Sequence, residues 1–295
     1  MRVIILGSGS PQPSLLRSAP SVLIEEGNRL YLFDCGEGTT AQLLRAGIAL
    51  ENVETILFTH LHADHSLGYG QLVIGGWIDG RRTLRVFGPP GIRHFHDTLL
   101  MDLYREDINY RLGLGRSPDG LIEAVELHEL TGEGEAFRDD RVTITYCPVV
   151  HSITTLALRI DAPSGASVVI SGDTAYHEPL ARFARGTDVL VHDAILPPAT
   201  FDDAHGTRAR DISWDKLARG HATPEEAGRI AALAGARALV LTHLLPRTNT
   251  EAAVAACQKH FTGQTWAAED LMEIDVPSLA VKRALAGAGS SPRRS

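Results

Sequence analysis

The stretch Thr59-His60-Leu61-His62-Ala63-Asp64-His65-Ser66-Leu67-Gly68 sets three imidazoles and one carboxylate within six residues, directly after the apolar run Thr55-Ile56-Leu57-Phe58. Such a cluster at the end of a strand is suited to hold metal. Neutral imidazole and carboxylate match zinc and neighbouring first-row metals, and the lack of cysteine among the candidates argues against a closed structural zinc site. Four potential ligands at one turn point to two ions. A two-metal hydrolytic site needs about seven ligand positions including a bridging carboxylate, so the fold must bring the others from elsewhere in the chain.

Three later positions fit, because each follows an apolar strand: His151 after Val149-Val150, Asp173 after Val168-Val169-Ile170-Ser171-Gly172, and His243 after Leu239-Val240-Leu241-Thr242. The 295 residues, 44% of them apolar, allow one large α/β domain or two small ones, with a substantial core. A formal net charge of -8 gives no general attraction for a polyanion, and no long Lys/Arg cluster offsets it. The three cysteines, Cys35, Cys147 and Cys257, lie far apart and read as small buried residues of a reducing compartment. No apolar segment is long enough to span a bilayer, so a cytoplasmic protein without a membrane partner is expected.

Taken in order, the chain opens with a buried strand from Val3 to Leu6 and a turn-rich Gly7-Ser8-Gly9-Ser10-Pro11, too weak a match for a phosphate cradle. A hairpin follows around Gly27-Asn28, then a helix over 40–46, the strand before His60, and a glycine-broken helix over 67–78. Strand 84–87 leads to helical periodicity over 92–104, and 105–120 reads as a polar excursion, either a lid or a surface connection. Strands over 125–130, 142–150, 154–160 and 167–170 suit a second sheet. The last third alternates helices over 178–185, 224–234 and 250–260 with strands over 189–192 and 238–242, and Trp266 with 271–274 adds one last strand. Thr223 is a good N-cap for the Pro224 helix. A domain over 1–285 and a Gly-Ser-Pro-Arg tail over 286–295 are expected, the tail being mobile.

The His-x-His-x-Asp-His core, the later His151, the Gly172-Asp173-Thr174 turn and the Thr242-His243 pair together resemble the metallo-β-lactamase-fold hydrolases over nearly the whole chain. The resemblance implies an α+β fold, an αββα sandwich of two mixed sheets face to face with helices outside. It assigns His60, His62 and His151 to one ion, Asp64, His65 and His243 to the other, and Asp173 as the bridge. Two zinc ions are implied, with manganese or iron(II) as alternatives. Within that superfamily the chain is similar to the ribonuclease Z-like branch, which includes arylsulfatase-like proteins. This rests on Gly7-Ser8-Gly9-Ser10-Pro11, Leu32-Phe33-Asp34-Cys35-Gly36-Glu37-Gly38-Thr39, Gly88-Pro89-Pro90-Gly91 and Gly220-His221-Ala222-Thr223-Pro224-Glu225-Glu226-Ala227. In that branch a histidine matching His221 acts at the leaving group, held by an acid in a His-Glu-Ala motif, here His192-Asp193-Ala194. Dimers are common there, so a homodimer is expected.

The departures bear on substrate. Ribonuclease Z enzymes of the common bacterial type carry a long basic arm for tRNA between the positions of His151 and Asp173, where this chain has room for a hairpin only. With the acidic balance, this favours a small-molecule sulfate or phosphate ester over nucleic acid, cleaved by metal-bound hydroxide. Asp64 would ligate and hydrogen-bond the nucleophile, and His221 with Asp193 would serve the leaving group. A tRNA 3′-processing endonuclease is the alternative, and a non-catalytic metal-binding regulatory module a further one. Asp34 is expected to support a ligand imidazole, His192 to position Asp193, and Gly36 and Gly38 to make tight turns. His94, His96, His128, His177, His205 and His260 read as surface or structural histidines, with His177 and His205 close enough in sequence to touch substrate. Substrate choice is expected to lie in 105–120 and 196–214.

Overall fold

Strand β1 (Arg2–Gly7) shows how the layers arise: Val3 and Ile5 enter one apolar cluster, Ile4 and Leu6 another, so both of its faces are covered. This is why the strands read as continuous apolar runs rather than as alternating ones. The structure, a computed structural model, describes residues 1–196 and 213–283. After β1 come β2 (Ser21–Glu26) and β3 (Arg29–Phe33), joined at Gly27, whose φ of 60° suits glycine. Strands β4 (Thr55–Leu57), β5 (Leu84–Gly88) and β6 (Val125–Glu129) continue in parallel from β3. Next are β7 (Gly134–Arg138), β8 (Thr143–Pro148) and β9 (Leu156–Asp161), antiparallel to one another, and then β10 (Ser167–Ile170), antiparallel to β9. Strands β11 (Val189–Asp193), β12 (Ala238–Thr242) and β13 (Gln264–Ala267) extend from β10 in parallel, while β14 (Met272–Asp275) and β15 (Ala280–Lys282) return to the edge beside β1.

Two mixed sheets result, of order β15-β14-β1-β2-β3-β4-β5-β6 and β13-β12-β11-β10-β9-β8-β7. One core cluster lies between them, where Ile5, Ile24 and Phe33 meet Ile144, Leu158 and Val191. Outside the first sheet lie α1 (Thr39–Arg45), the single turn α2 (Ala63–Ser66), α3 (Tyr69–Asp79), α4 (Ile92–Asp97), a π-helical turn (Thr98–Leu103) and α5 (Arg105–Gly113). In the second half α6 (Glu178–Phe183), α7 (Trp214–Leu217), α8 (Pro224–Ala234) and α9 (Thr250–Gln258) follow, and α6, α8 and α9 cover the second sheet through Leu180, Ile230 and Cys257. Thr223 caps α8 in a full capping box with Glu226. This is the expected αββα sandwich.

Several local expectations need correction. Residues 125–129 belong to the first sheet, beside β5, because sheet membership is decided by long-range pairing that local pattern does not record. The single last strand is three, β13 to β15, split between the sheets, and β7 is an additional strand whose GEAFR sequence carries little apolar signal. Residues 105–120 form α5 and a turn that docks on α3: Trp77 Nε1 donates to the Ser117 carbonyl, Arg116 to that of Ile78, and Ile108 is buried. Gly7 and Gly9, too weak a match for a phosphate cradle, permit close chain crossing, since a Cβ on Gly7 would fall 1.8 Å from the Ala19 carbonyl oxygen. The 286–295 tail and most of 196–214, with His205, lie outside the described residues. Among the described residues no helix is long and apolar enough to cross a membrane.

Of the histidines read as structural, His96 on α4 is buried against α3, its Nδ1 accepting from the Tyr69 hydroxyl at 2.6 Å. Burial pushes its pKa down to about 4. The unfolded chain takes up this proton near pH 6.5 and the folded chain only near pH 4, so stability falls as pH drops across that window, by at most about 3 kcal/mol. Thermal melts of chelator-treated protein from pH 7 to pH 4 should show a shallower loss in His96→Gln than in wild type; parallel slopes would exclude His96 as a source.

Candidate metal centre

The carboxyl ends of the parallel strands of both sheets meet at one seam, where open α/β sheets generally place ligands. Strand β3 delivers Asp34 there, β4 delivers Thr59 and His60, and β8 leads to His151. From the second sheet, β10 leads to Asp173, β11 ends on Asp193, and β12 leads to His243. His60, Asp64, His65, Asp173, Asp193, His221 and His243 are all buried. Asp34 (φ 57°) and His243 (φ 60°) hold left-handed backbone conformations, uncommon for residues with a side chain and tolerated where the surroundings fix them.

The three histidines assigned to one ion converge. His60 Nε2 and His151 Nε2 each lie 3.1 Å from His62 Nδ1. Both outer rings have their other nitrogen engaged. The Thr59 hydroxyl donates to Asp34 Oδ2, so its oxygen accepts from His60 Nδ1 at 3.0 Å, and His151 Nδ1 donates to the Gly220 carbonyl at 2.7 Å. Two lone pairs therefore face His62 Nδ1, which can donate to only one of them. A cation satisfies all three. Asp173 Oδ2 stands 3.7 Å from His60 Nε2 and 3.9 Å from His151 Nε2.

On the other side, the α2 turn aims Asp64 and His65 at His243. His243 Nε2 is 3.1 Å from Asp64 Oδ2, and His65 Nε2 is 3.6 Å from the same oxygen. Asp173 reaches both, 3.4 Å from His65 Nε2 and 3.4 Å from His243 Nε2. His65 donates from Nδ1 to Asp34 Oδ2 at 2.8 Å, while its Nε2 is buried with no hydrogen-bond partner among the described residues. That orphaned nitrogen and the ligand types around it fit a divalent ion. Among the described residues, three sets have ligand atoms within 4.8 Å of one another: His60, His62, His151 and Asp173; Asp64, His65 and His243; and Asp173, Asp193, His221 and His243.

The electrostatic field of the seam favours positive charge. Burial opposes protonation of His65, but Asp173 and Asp34 outweigh it and raise its pKa well above the ordinary value. His243 is lifted to about 10 against the same burial by Asp173, Asp193 and Asp64. Asp173 is held far below the carboxylate range despite burial by His243 and His65. His60, by contrast, is pushed down by burial and then by the neighbouring His65. Metal entering such a site displaces protons.

His221 lies beside both ligand sets, its Nδ1 donating to Asp193 Oδ2 at 2.7 Å. His192 points away from the site; its Nδ1 bonds the Asp193 backbone carbonyl at 2.7 Å. His177 precedes α6 as its N-cap residue. Gly36 is needed for close approach rather than for a turn, since a Cβ there would fall 2.2 Å from the Asp64 carbonyl oxygen; Gly38 does have positive φ. Sequence reading missed Thr59, whose hydroxyl links Asp34 to His60, and the Gly220 carbonyl. A Cβ on Gly220 would fall 2.8 Å from His151 Nδ1. Nothing in a single sequence marks a threonine or a glycine for such work.

The chain matches the Beta-lactamase superfamily domain over residues 29–244. It is similar to the protein named ribonuclease Z of Mycobacterium sp. strain KMS, 36% identical over 252 residues, covering 83% of this chain and 85% of that one. The ribonuclease Z of Mycobacterium bovis strain BCG / Pasteur 1173P2 is 32% identical over 289 residues, covering 94% and 98%. Among solved structures, the short form of human tRNase Z superposes with TM-score 0.70 at 25% identity, covering 94% of this chain and all (100%) of that one. The metallo-β-lactamase-fold protein YhfI of Bacillus subtilis gives 0.71 at 22%, covering 92% and 98%. Asp173 stands within reach of both ligand sets, so Asp173→Ala should lose most of the metal that the wild-type chain holds, measured by elemental analysis of dialysed protein. Undiminished metal content would remove Asp173 from the ligand set.

Proposed function

The chain belongs to the β-lactamase superfamily, as a ribonuclease Z-like metal-dependent hydrolase of the metallo-β-lactamase fold, and from that premise we propose that it is an endonuclease of the tRNA 3′-processing type. The observation that carries this reading is the 2.7 Å bond between His221 Nδ1 and Asp193 Oδ2 beside the two ligand sets. A ribose oxygen is a poor leaving group unless it is protonated as it departs, whereas an aryl oxygen leaves readily without help. A histidine oriented for proton delivery is therefore of most use against an alkyl phosphodiester. The relatives named ribonuclease Z support the same choice.

In this reading His60, His62 and His151 hold one ion, Asp64, His65 and His243 the other, and Asp173 spans both; zinc is the metal proposed, with manganese or iron(II) as substitutes. When bound, such a pair supplies Lewis acidity and a water acidified toward neutrality. Asp64, besides ligating, accepts a hydrogen bond from the attacking water and so fixes its direction. Asp193 accepts a hydrogen bond from His221 Nδ1–H, which leaves Nε2 to face the departing oxygen. Thr59 and Asp34 keep His60 and His65 in the tautomers that leave Nε2 free.

A second reading, hydrolysis of small sulfate or phosphate esters, is favoured by one observation. β9 and β10 are joined by the tight turn 162–166, closed by the Ala162–Ala166 backbone bond, so no arm projects between the His151 and Asp173 positions. One assay separates the two readings and the regulatory alternative: wild type and His221→Ala, both with measured metal content, on a tRNA precursor, aryl phosphodiesters, aryl sulfates and lactones. The precursor should be cleaved with the highest kcat/KM. His221→Ala should lose on the order of 10² to 10⁴ in rate on it and much less on aryl phosphodiesters. Preference for aryl sulfates, with equal loss on every substrate, would favour the small-ester reading, and a fully metallated protein inert to all of them would make it a binding module.

A further inference from the structure

Asp193 ends β11 with its two carboxylate oxygens facing two different imidazoles. Oδ2 accepts from His221 Nδ1 at 2.7 Å, and Oδ1 lies 3.5 Å from His243 Nδ1. The two rings are parallel to within 10°, with centroids 5.4 Å apart. This is the arrangement expected when each oxygen of one carboxylate faces the Nδ1 of a separate ring. The carboxylate is itself fixed: Ile195 N–H donates to Oδ1 at 3.0 Å and Thr174 N–H to Oδ2 at 3.3 Å, and Asp193 is 1% exposed.

His243 has need of such a partner. Its Nε2 is 3.1 Å from Asp64 Oδ2 and 3.4 Å from Asp173 Oδ2, so to join them around a cation this nitrogen must offer a lone pair. The ring proton then sits on Nδ1, which is buried and makes no hydrogen bond within ordinary range among the described residues. Asp193 Oδ1 is the carboxylate oxygen that faces it. A modest closing of the 3.5 Å gap completes a carboxylate–histidine–metal arrangement of the kind that fixes tautomer and ring orientation.

We propose that Asp193 is a positioning residue for two histidines at once, His221 at the leaving group and His243 in the ligand set of the second ion. The inference rests on the ligand and leaving-group roles given above. It makes metal affinity and leaving-group chemistry share one carboxylate. Loss of Asp193 is then a different lesion from loss of His221, although both would lower turnover: the first also weakens the ion held by Asp64, His65 and His243, and the second does not.

Calorimetric titration of chelator-stripped full-length protein with Zn2+ tests this on wild type, His221→Ala and Asp193→Asn, each checked for fold by circular dichroism. Wild type and His221→Ala should take up two ions with matching affinities. Asp193→Asn should bind the first as wild type does and the second about ten- to a hundredfold more weakly. Wild type that fails to take up two ions would overturn the two-ion reading itself. Two-ion wild type with an unchanged Asp193→Asn would overturn only the double role of Asp193. Nitrogen-15 NMR of histidine-labelled, zinc-loaded wild type supplies a check that needs no variant: His243 should carry its proton on Nδ1, and a proton on Nε2 would refute the proposal.

Discussion

Four carboxylates, those of Asp34, Asp64, Asp173 and Asp193, are buried around one seam between two sheets, and the rest of the site follows from the need to neutralise them. A buried carboxylate left unpaired costs several kcal/mol, which no packing in the neighbourhood returns. The fold meets that need in two ways. Backbone and hydroxyl donors take part of the charge: Thr59 N–H and Oγ1 both bond Asp34, and Thr174 and Ile195 N–H bond Asp193. Imidazoles take the remainder, with His65 and His243 drawn toward the protonated form. Divalent cations do the same work with more charge and fixed geometry, so metal uptake contributes to native stability as well as to chemistry.

Delivering so many groups to one place places demands on the backbone. Asp34 and His243 occupy left-handed conformations at strand ends, each costing of order 1–3 kcal/mol where a side chain is present. Gly36, Gly68 and Gly220 let main chain approach within distances that a Cβ would forbid; at Gly68 the obstacle is the Gly36 carbonyl, 2.2 Å from the missing atom. Cys35 N–H meets the His65 carbonyl and Gly68 N–H meets the Cys35 carbonyl, so two main-chain bonds add to the His65–Asp34 side-chain bond in tying the ligand-bearing turn α2 to the end of β3.

What the sequence disclosed follows the range of the physics involved. The cluster His60 to His65 was legible because its ligands are close in sequence and of a chemical type seldom gathered by chance. His151, Asp173 and His243 were legible because each follows an apolar strand, and the structure brings all three to the seam. Strand β6 falls in the other sheet because its pairing with β5, Leu84 opposite Val125, joins residues far apart in the chain and leaves no local periodicity, whereas β7 and β15 are short, mostly exposed hairpin strands with little apolar signal. Thr59, the Gly220 carbonyl and the second face of Asp193 act through hydrogen bonds whose geometry exists only in the folded chain. Substrate was the weakest reading, and relatives named ribonuclease Z now weigh against the small-ester preference drawn from charge and the missing arm.

Charge and the missing arm weigh less in that choice for a physical reason. Net charge averages over the whole surface and reports on long-range attraction, whereas cleavage depends on what surrounds the departing oxygen. The tight turn between β9 and β10 bears on grip for a large substrate, whereas Asp193 and His221 lie at the end of β11 and before α8. The buried dyad is the more informative feature. Keeping Asp193 ionised at 1% exposure requires two backbone donors and two imidazoles around it, and the arrangement faces both His243, beside the ligand set, and His221. Under the proposed function, the His221 half of that arrangement is of most use where the departing oxygen is an alkyl one, as in a nucleic acid backbone.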